Sequence, residues 1–256
     1  MWRGNPRHNR IGVFMSKNDS VRFLPCGDSA LTVELSREMN EATNRQIRFL
    51  AERISGGKVR GIRECVPTFC SLTVYFDPLV ISAKTVKRKI SNFIKSYKEG
   101  AGEKKRVFLI PVCYESKYAP DLQDVCALTG LTEQEVISIH SGTDYLIYML
   151  GFLPGFPYLG GMDKRIEAPR LDSPRTVIPP GAVGIGGKQT GIYPLASPGG
   201  WRLIGQTPVK VYDPDRADPI LYSAGDYIRF YPITAAEYDE IAASGGHTIE
   251  VREETV

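Results

Sequence analysis

The hydrophobic pattern of residues 21–97 predicts a small α/β unit. Two short β-rich runs, VRFLP and ALTVEL, flank a Gly27-Asp28 turn signal and indicate a β-hairpin. Apolar residues then recur at helical spacing over 43–54, and a Gly-Gly pair ends that helix. The β-rich runs IRECV and SLTVYF precede a second amphipathic helix, which Ser82 is predicted to cap. We therefore expect two helices on one face of a small antiparallel sheet.

The pattern changes after residue 106. VFLIPVCY predicts a strand, a short helix follows over 120–129, and a Thr132–Glu135 capping box opens another helix. Beyond Gly142 no helical periodicity appears until AAEYDEIAAS near the end of the chain. Between them lie β-rich runs separated by Gly and Pro, such as TVIPP, WRLIG, VKVYD and YIRFYP. Many short strands with frequent turn signals are typical of a β-barrel or a sandwich.

These changes of pattern divide the chain into five segments of an α+β protein. We expect an N-terminal extension without ordered structure over 1–20, an α/β domain over 21–98, a linker over 99–106, a β-barrel domain over 107–234, and a C-terminal helix and tail over 235–256. The longest apolar run of the extension, Ile11–Met15, is shorter than the roughly 7–15 residues that a signal peptide requires.

Composition and charge exclude several classes of function. Hydrophobic residues make up 42% of the 256 residues and charged residues 24%, which is typical of a globular chain and excludes general disorder. A net charge of +3 does not indicate a nucleic-acid-binding protein. The longest uncharged stretch, Tyr145–Met162, contains two prolines and four glycines and does not resemble a membrane helix. We expect no nucleic-acid partner and no membrane partner.

Two further features concern compartment and surface. The five cysteines form no CxxC pair, and we expect reduced thiols in a cytoplasmic protein. Residues 84–106 contain nine basic and two acidic residues. This segment is either a patch for an anionic partner or, more commonly, a solvated helix face followed by a linker.

The standard catalytic signatures are absent. Only three histidines are present, without HExxH or a paired-ligand set, so no metal site is predicted. No GxSxG is present, which excludes the usual α/β-hydrolase nucleophile. The segment GAVGIGGKQTG fails as a P-loop because Ala182 stands where the first glycine is needed and Gln189 follows Lys188.

Candidate chemistry is concentrated in residues 151–200, which hold eleven of the 25 glycines and eight of the 18 prolines. Three glycine-rich segments, 151–161, 181–191 and 197–202, would let a ligand approach main-chain N–H groups closely. They are either tight barrel corners or, taken together, the walls of a concave site. The expected aromatic walls are Phe152, Phe156, Tyr158, Tyr193 and Trp201, and the expected polar contacts are Lys188, Gln189, Thr190 and Arg202.

His140 has two interpretations. At the end of a predicted helix it would interact favourably with the helix C-terminus, which is a structural role. It is also the only histidine within the predicted globular region and therefore a candidate proton carrier.

Several sequence blocks resemble one known family. GFLPGFPYLGGM, VIPPGAVGIGGKQTGIYPLASPGGWRLIG and VYDPD with GDYIRFYPI look like the family of the 5-oxoprolinase B subunit. That family is also called allophanate hydrolase subunit 1 and includes a bacterial sporulation-kinase inhibitor. CGDSALTVE, GIRECVP and SLTVYFDPL are similar to its first domain, so the resemblance covers about residues 21–234. It implies a small α/β N-terminal domain followed by a cyclophilin-like β-barrel, related to a lobe of the carboxyltransferase domain of urea carboxylase.

The resemblance also implies a function. It predicts a non-autonomous enzyme subunit that contacts the C subunit of 5-oxoprolinase directly and acts with it and the A subunit to open 5-oxo-L-proline to L-glutamate. ATP with Mg²⁺ is the expected co-substrate, held on this chain, on the C subunit or between them. The predicted catalytic residues are His140, Lys188 and Gln189, and the predicted substrate-binding residues are Gly155, Phe156, Pro157, Thr190, Gly191, Tyr193, Gly199, Gly200, Trp201 and Arg202. The alternatives are a regulator that inhibits a sensor histidine kinase and a carboxyltransferase lobe.

ATP coupling suits a lactam because its amide is resonance-stabilised, and phosphorylation of the amide oxygen would create a better electrophile. Such chemistry requires donors for the phosphoryl charge. Lys188, Arg202 and the N–H groups of the glycine-rich segments are the candidate donors.

Overall fold

The structure is a computed structural model that describes residues 21–98, 104–115, 117–246 and 249–255. The predicted extension over 1–20 and most of the predicted linker lie outside the described residues.

The N-terminal part is an antiparallel sheet with two helices on one face, as predicted. Its elements are β1 (Arg22–Cys26), β2 (Ala30–Glu34), α1 (Glu41–Gly56), β3 (Ile62–Pro67), β4 (Ser71–Phe76) and α2 (Ala83–Ser96). The strand order is β1-β2-β4-β3. Alternate residues of β2 and β4, such as Val33 and Val74, pack in one cluster with Ile47 of α1 and Ile90 of α2. The predicted cap is confirmed, because the Ser82 hydroxyl accepts the Thr85 N–H.

The second part is a closed β-barrel of seven strands among the described residues. They are β5 (Lys104–Cys113), β6 (Asp144–Leu150), β7 (Pro157–Gly160), β9 (Ala182–Gly186), β10 (Gln189–Ile192), β12 (Arg202–Gln206) and β13 (Tyr227–Ile233). Their order is β12-β9-β10-β7-β6-β13-β5, and Gln206 opposite Cys113 closes the ring. Only the pairing of β13 with β5 is parallel among these described strands. The α+β class with a cyclophilin-like β-barrel is thereby confirmed.

Three described strands and the helices lie outside the ring. They are α3 (Leu122–Thr129), α4 (Glu133–Ser141), a 3₁₀ turn (Lys164–Ile166), β8 (Arg175–Ile178), β11 (Ser197–Gly199), α5 (Ala235–Ala243) and β14 (Glu250–Thr255). β8 and β11 form a separate two-stranded sheet. The predicted capping box is confirmed, since the Thr132 hydroxyl accepts the Glu135 N–H and the Glu135 carboxylate accepts the Thr132 N–H.

The prediction of a strand over VKVYD is wrong. Val209 and Val211 are buried alternately, as they would be in a strand. Their main chain, however, joins no ladder: the Val209 N–H donates to the Thr207 hydroxyl, and the Val211 carbonyl accepts the Leu221 N–H beside one isolated antiparallel bridge. The alternation therefore predicted the burial of these residues correctly, but it did not predict the absence of a strand. Pro208 and Pro214 flank the segment, and proline cannot donate a main-chain hydrogen bond to a ladder.

Two described strands extend into the predicted linker and tail. Strand β5 begins at Lys104, inside the predicted linker, and β14 lies in the predicted tail and pairs antiparallel with residues 104–109 of β5. Charged side chains stabilise this end of β5, where Arg106 makes a bidentate ion pair with Asp226 at 2.8 and 2.6 Å. The hydrophobic pattern does not predict strands there, because these segments consist mostly of charged residues.

Contacts between the two parts reach the glycine-rich region. The Asn44 side chain of α1 donates to the Tyr148 carbonyl of β6 at 3.1 Å. The Phe69 ring meets Tyr158 of β7 edge to face, with ring centroids 5.6 Å apart. The N-terminal part therefore packs against Tyr158 in the glycine-rich region.

Two predictions from composition can be compared with the structure. All five cysteines are free, as predicted. In the part of the chain that the structure describes, no helix is both long enough and apolar enough to span a membrane.

Candidate functional site

A cluster of aromatic side chains lies at one side of the barrel. Phe156, Tyr193 and Trp201 are buried and pack with Ile178 and Leu203. The Phe156 ring meets Tyr193 and Trp201 edge to face at centroid distances of 5.3 and 5.5 Å. Such contacts fix ring orientations, so the cluster is a rigid floor rather than a loose apolar patch.

A pocket of about 270 Å³ opens above this floor, and we call it the aromatic pocket. It is lined by Phe152, Phe156, Tyr158, Arg170, Pro174, Tyr193, Pro198, Gly199, Gly200 and Trp201. The structure thus brings together five of the residues predicted to bind substrate: Phe156, Tyr193, Gly199, Gly200 and Trp201. It also includes Phe152 and Tyr158 from the predicted aromatic walls. Gly155 and Pro157, the predicted neighbours of Phe156, are buried and do not line the pocket.

Gly199 of β11 gives space to the floor of the pocket. A Cβ at Gly199 would lie 2.6 Å from the Tyr193 hydroxyl oxygen and 2.6 Å from Ile178 Cδ1. Any larger residue would therefore displace the tyrosine that forms the floor. Across the floor, Gly155 adopts φ +81°, which favours glycine, and its carbonyl accepts the Tyr222 hydroxyl at 2.9 Å.

Arg170 gives the pocket its charge. Its guanidinium lies over the Trp201 ring, 5.9 Å from the centroid. Among the described residues it makes no ion pair and no hydrogen bond, and none of the described residues that line the pocket is an acid. Two nearby arginines are neutralised, since Arg175 pairs with Asp121 at 2.6 Å and Arg202 pairs with Asp124 at 2.8 Å.

Tyr193 contributes a hydroxyl group to the lining of the pocket. Burial raises the pKa of Tyr193, while a hydrogen bond with the Trp201 main chain and the positive charges of Arg170 and Arg175 act in the opposite direction. The phenol is therefore neutral at pH 7 and remains a hydrogen-bond donor and acceptor.

Phe152 stands at the mouth of the pocket in a strained conformation. Its φ is +68°, which is rare for a bulky residue, and its side chain is 64% exposed. The ring meets Phe156 edge to face at 5.7 Å. A strained, exposed aromatic beside a cavity is the kind of feature that marks functional sites.

The segment 181–191 does not line the aromatic pocket but forms strands β9 and β10 and the turn between them. Gly184, Gly186 and Gly191 lie in the paired strands β9 and β10, and main-chain groups of both strands bond across the ladder. A Cβ at Gly186 would overlap the Trp201 ring, and one at Gly191 would lie 3.1 Å from it. These glycines therefore provide space for Trp201, and Gly191 contributes to the floor from behind.

Lys188 lies at the turn between β9 and β10, and Gln189 is the first residue of β10. Lys188 is exposed at the tip, and Gln189 is half-buried with its Nε2 atom lacking a partner among the described residues. Neither lines the aromatic pocket. Arg202 is also outside it: in addition to Asp124, it donates to the Pro169 carbonyl at 3.0 Å.

His140 and Thr190 are both fully buried in the barrel core. His140 Nε2 lies 2.9 Å from the Thr190 hydroxyl, which donates to the Gly184 carbonyl, so the imidazole is the donor to Thr190. Its Nδ1 accepts the Tyr114 hydroxyl at 2.7 Å. Burial raises the pKa of Tyr114 well above its usual value and lowers the pKa of His140 to about 3. Both ring nitrogens are engaged, and the geometry favours the structural interpretation of His140.

Among the described residues, the candidate donors for a phosphate do not converge on one site. Main-chain groups of 183–186 and 189–192 serve the strand ladder, and Arg202 is neutralised. No group of three His, Cys, Asp or Glu side chains within the described ranges could hold a metal ion. A triphosphate requires several converging donors and cations, and these residues do not converge.

Arg170 is the charged residue of the pocket that the sequence did not reveal. It lies in APRLDSPR, which has no glycine-rich or aromatic character. Only the fold places it over Trp201, which follows 31 residues later in the chain.

Comparison with known proteins places these features in a family. The model described as "Carboxyltransferase domain, subdomain C and D" matches residues 21–222. The protein named as the B subunit of 5-oxoprolinase in Bacillus subtilis (strain 168) is 43% identical over 222 residues, covering 83% of this chain and 92% of that protein.

Solved structures agree with this assignment. The crystal structure of TTHA0988 superposes with a TM-score of 0.71 at 34% identity, covering 84% of this chain and 41% of that longer chain. The urea carboxylase of Kluyveromyces lactis matches with a TM-score of 0.75 at 22% identity, covering 92% of this chain and 24% of that one, which shows the fold alone. The chain therefore belongs to the carboxyltransferase subdomain C and D family and, within it, groups with the proteins named as the B subunit of 5-oxoprolinase.

Proposed function

We propose that this chain is the B subunit of an ATP-dependent 5-oxoprolinase that opens 5-oxo-L-proline to L-glutamate together with the A and C subunits. The observation that carries the proposal is the 43% identity to the B subunit of Bacillus subtilis, which extends over 92% of that protein. Identity at this level over nearly the whole relative points to the same role in the same kind of complex.

The site supports a binding subunit rather than a complete enzyme. The substrate is a small ring that carries a carboxylate, and the aromatic pocket offers rigid apolar walls with one arginine at the rim. His140, the natural candidate for a general base, has both ring nitrogens engaged in the core. We therefore assign recognition of the substrate to this chain and expect groups of the partner subunits to complete the reaction.

ATP belongs to a partner subunit in this proposal. The lactam amide requires activation before water can open it, and ATP supplies the driving force when it is bound to the complex. The described residues of this chain form no triphosphate cradle, so a partner is the better candidate for holding the nucleotide and Mg²⁺. Catalytic roles for His140, Lys188 and Gln189 stay predictions. We place the complex in the cytoplasm, in agreement with five free cysteines.

Reconstitution by omission tests the proposed function. The full chain is combined with its partner subunits, ATP, Mg²⁺ and 5-oxo-L-proline, and L-glutamate release is measured while each component is omitted in turn. We expect release only from the complete mixture. Release from a mixture without this chain contradicts the proposal.

Two other outcomes would point to different functions. A stable complex that carboxylates urea and leaves 5-oxo-L-proline intact would favour a carboxyltransferase lobe. Binding to a sensor histidine kinase with loss of its autophosphorylation, and with no complex with the A and C subunits, would favour the regulatory alternative.

A further inference from the structure

We infer that Arg170 is the residue that recognises the carboxylate of the cyclic substrate, with the ring held on the aromatic floor of Phe156, Tyr193 and Trp201. The inference rests on the proposed function and deepens it, because it names the group that distinguishes 5-oxo-L-proline from a neutral lactam.

The charge of the pocket is the first argument. Three arginines lie near the aromatic pocket, and two of them already have carboxylate partners within 2.8 Å. Arg170 is the one without a carboxylate partner among the described residues, and no described residue of the lining is an acid. An uncompensated guanidinium beside an apolar cavity attracts a carboxylate, which it can bind through two parallel hydrogen bonds.

The position of Arg170 is the second argument. Its guanidinium carbon lies 5.9 Å from the Trp201 ring centroid, so the cation lies beside the aromatic floor. A ring placed against the same floor would put a substituent near this cation. Arginine in this setting loses little conformational freedom on binding, which favours specific recognition.

The size and walls of the pocket are the third argument. About 270 Å³ lies just below the roughly 300–1,000 Å³ that is typical of sites for drug-sized ligands. It suits a five-membered ring and is small for a nucleotide. Phe152, exposed and strained at the mouth, is positioned to close over a flat ring.

The decisive experiment uses the reconstituted complex with Arg170→Met. We expect the KM for 5-oxo-L-proline to rise roughly 10- to 100-fold with kcat changed much less, because a charge-assisted contact to the bound substrate is lost. Arg170→Lys should recover part of the affinity. Lys164→Met, which removes an exposed cation six residues earlier in the chain and outside the pocket lining, is the matched control and should leave KM unchanged.

A neutral analogue separates carboxylate recognition from a structural role. 2-Pyrrolidinone has the same lactam ring without the carboxylate. If Arg170 binds the carboxylate, inhibition by 2-pyrrolidinone will be weak in the wild-type complex and unaffected by Arg170→Met. If Arg170→Met weakens both compounds equally, or changes neither, the inference is overturned.

Failure of the inference and failure of the proposed function give different results. A wild-type complex that releases L-glutamate with an unchanged KM in Arg170→Met refutes the inference alone. A wild-type complex without activity refutes the proposed function. In that case fluorescence titration of the Trp2→Phe chain, whose remaining tryptophan is Trp201, decides the inference. Equal responses to 5-oxo-L-proline with and without Arg170→Met would overturn it.

Discussion

Two glycine-rich regions of this chain have similar composition and different positions relative to the pocket. Residues 181–191 lie in paired barrel strands, where the lack of a side chain at Gly186 gives space to Trp201. Residues 197–200 lie at the wall of the aromatic pocket, where the lack of a side chain at Gly199 gives space to Tyr193. Both regions therefore let an aromatic side chain of the floor pack closely, and of the two only the second lines the pocket.

This comparison explains why a glycine-rich sequence is weak evidence for phosphate binding. A phosphate loop needs main-chain N–H groups that point at the ligand. Here the ladder between β9 and β10 pairs residues such as Thr190 and Ile185, so the N–H groups of this hairpin serve the barrel. Here glycine is required for packing against the indole ring of Trp201. This requirement produces a glycine-rich sequence similar to that of a phosphate-binding loop.

The largest expected effect comes from filling the space behind Trp201. Gly186→Val places side-chain atoms where the indole ring lies, and we expect a loss of about 3 kcal/mol in the free energy of unfolding, measured by urea denaturation. The control is Gly187→Asn at the next position, where φ is +65° and no atom lies near a Cβ. Equal midpoints for the two variants would show that packing against Trp201 does not matter.

A slightly smaller effect on stability comes from His140, whose ring forms a hydrogen bond with Thr190 of β10. Burial lowers the pKa of His140 to about 3, so the unfolded chain binds the proton more readily than the folded chain. The stabilisation is complete above about pH 6.5 and is lost as the pH falls toward 3. At pH 4.5 we expect this residue alone to lower the free energy of unfolding by about 2–3 kcal/mol relative to pH 7.5.

The variant His140→Gln isolates that contribution. An amide can accept from Tyr114 and donate to Thr190 without titrating in this range. The loss of stability between pH 7.5 and pH 4.5, from urea denaturation, should therefore be smaller in the variant than in the wild type. An identical loss in both proteins would mean that His140 is already protonated when folded.

The smallest expected effect has the opposite sign and concerns the pocket. Phe152→Gly removes an exposed ring from a backbone with φ +68°, and we expect stability to increase by about 0.5–1 kcal/mol. The same change should weaken ligand binding, because the mouth of the pocket loses its aromatic side. Phe152→Ala, which retains the strain, is the control for the lost ring. A decrease in stability for Phe152→Gly alone would argue against strain at this position.

The local features of the fold could be predicted from the sequence. The β1–β2 turn, the Ser82 cap and the Thr132–Glu135 capping box depend on residues within four positions of one another, and all three are confirmed. Strand β14 was missed because its partner lies about 146 residues earlier and its own residues are mostly charged. Such a pairing has no local signal.

The candidate site divides in the same way. The aromatic residues between the glycines could be found because their spacing places large rings beside flexible backbone, and Phe156, Tyr193 and Trp201 do meet. The cations could not be assigned, since their role depends on distant partners. Arg202 is neutralised by Asp124, 78 residues earlier. Arg170 carries no signal of its own.

The pairing of β5 dictates an order of assembly. This strand follows the N-terminal part in the chain, yet the strands that pair with it, β12, β13 and β14, begin 98 or more residues after its first residue. During synthesis the N-terminal sheet can form from residues 22–96 alone, whereas both edges of β5 stay without those partners until much of the remaining chain has emerged. The apolar run from Val107 to Val112 is therefore the segment that a nascent chain exposes for longest, and the place where a chaperone would bind to prevent aggregation.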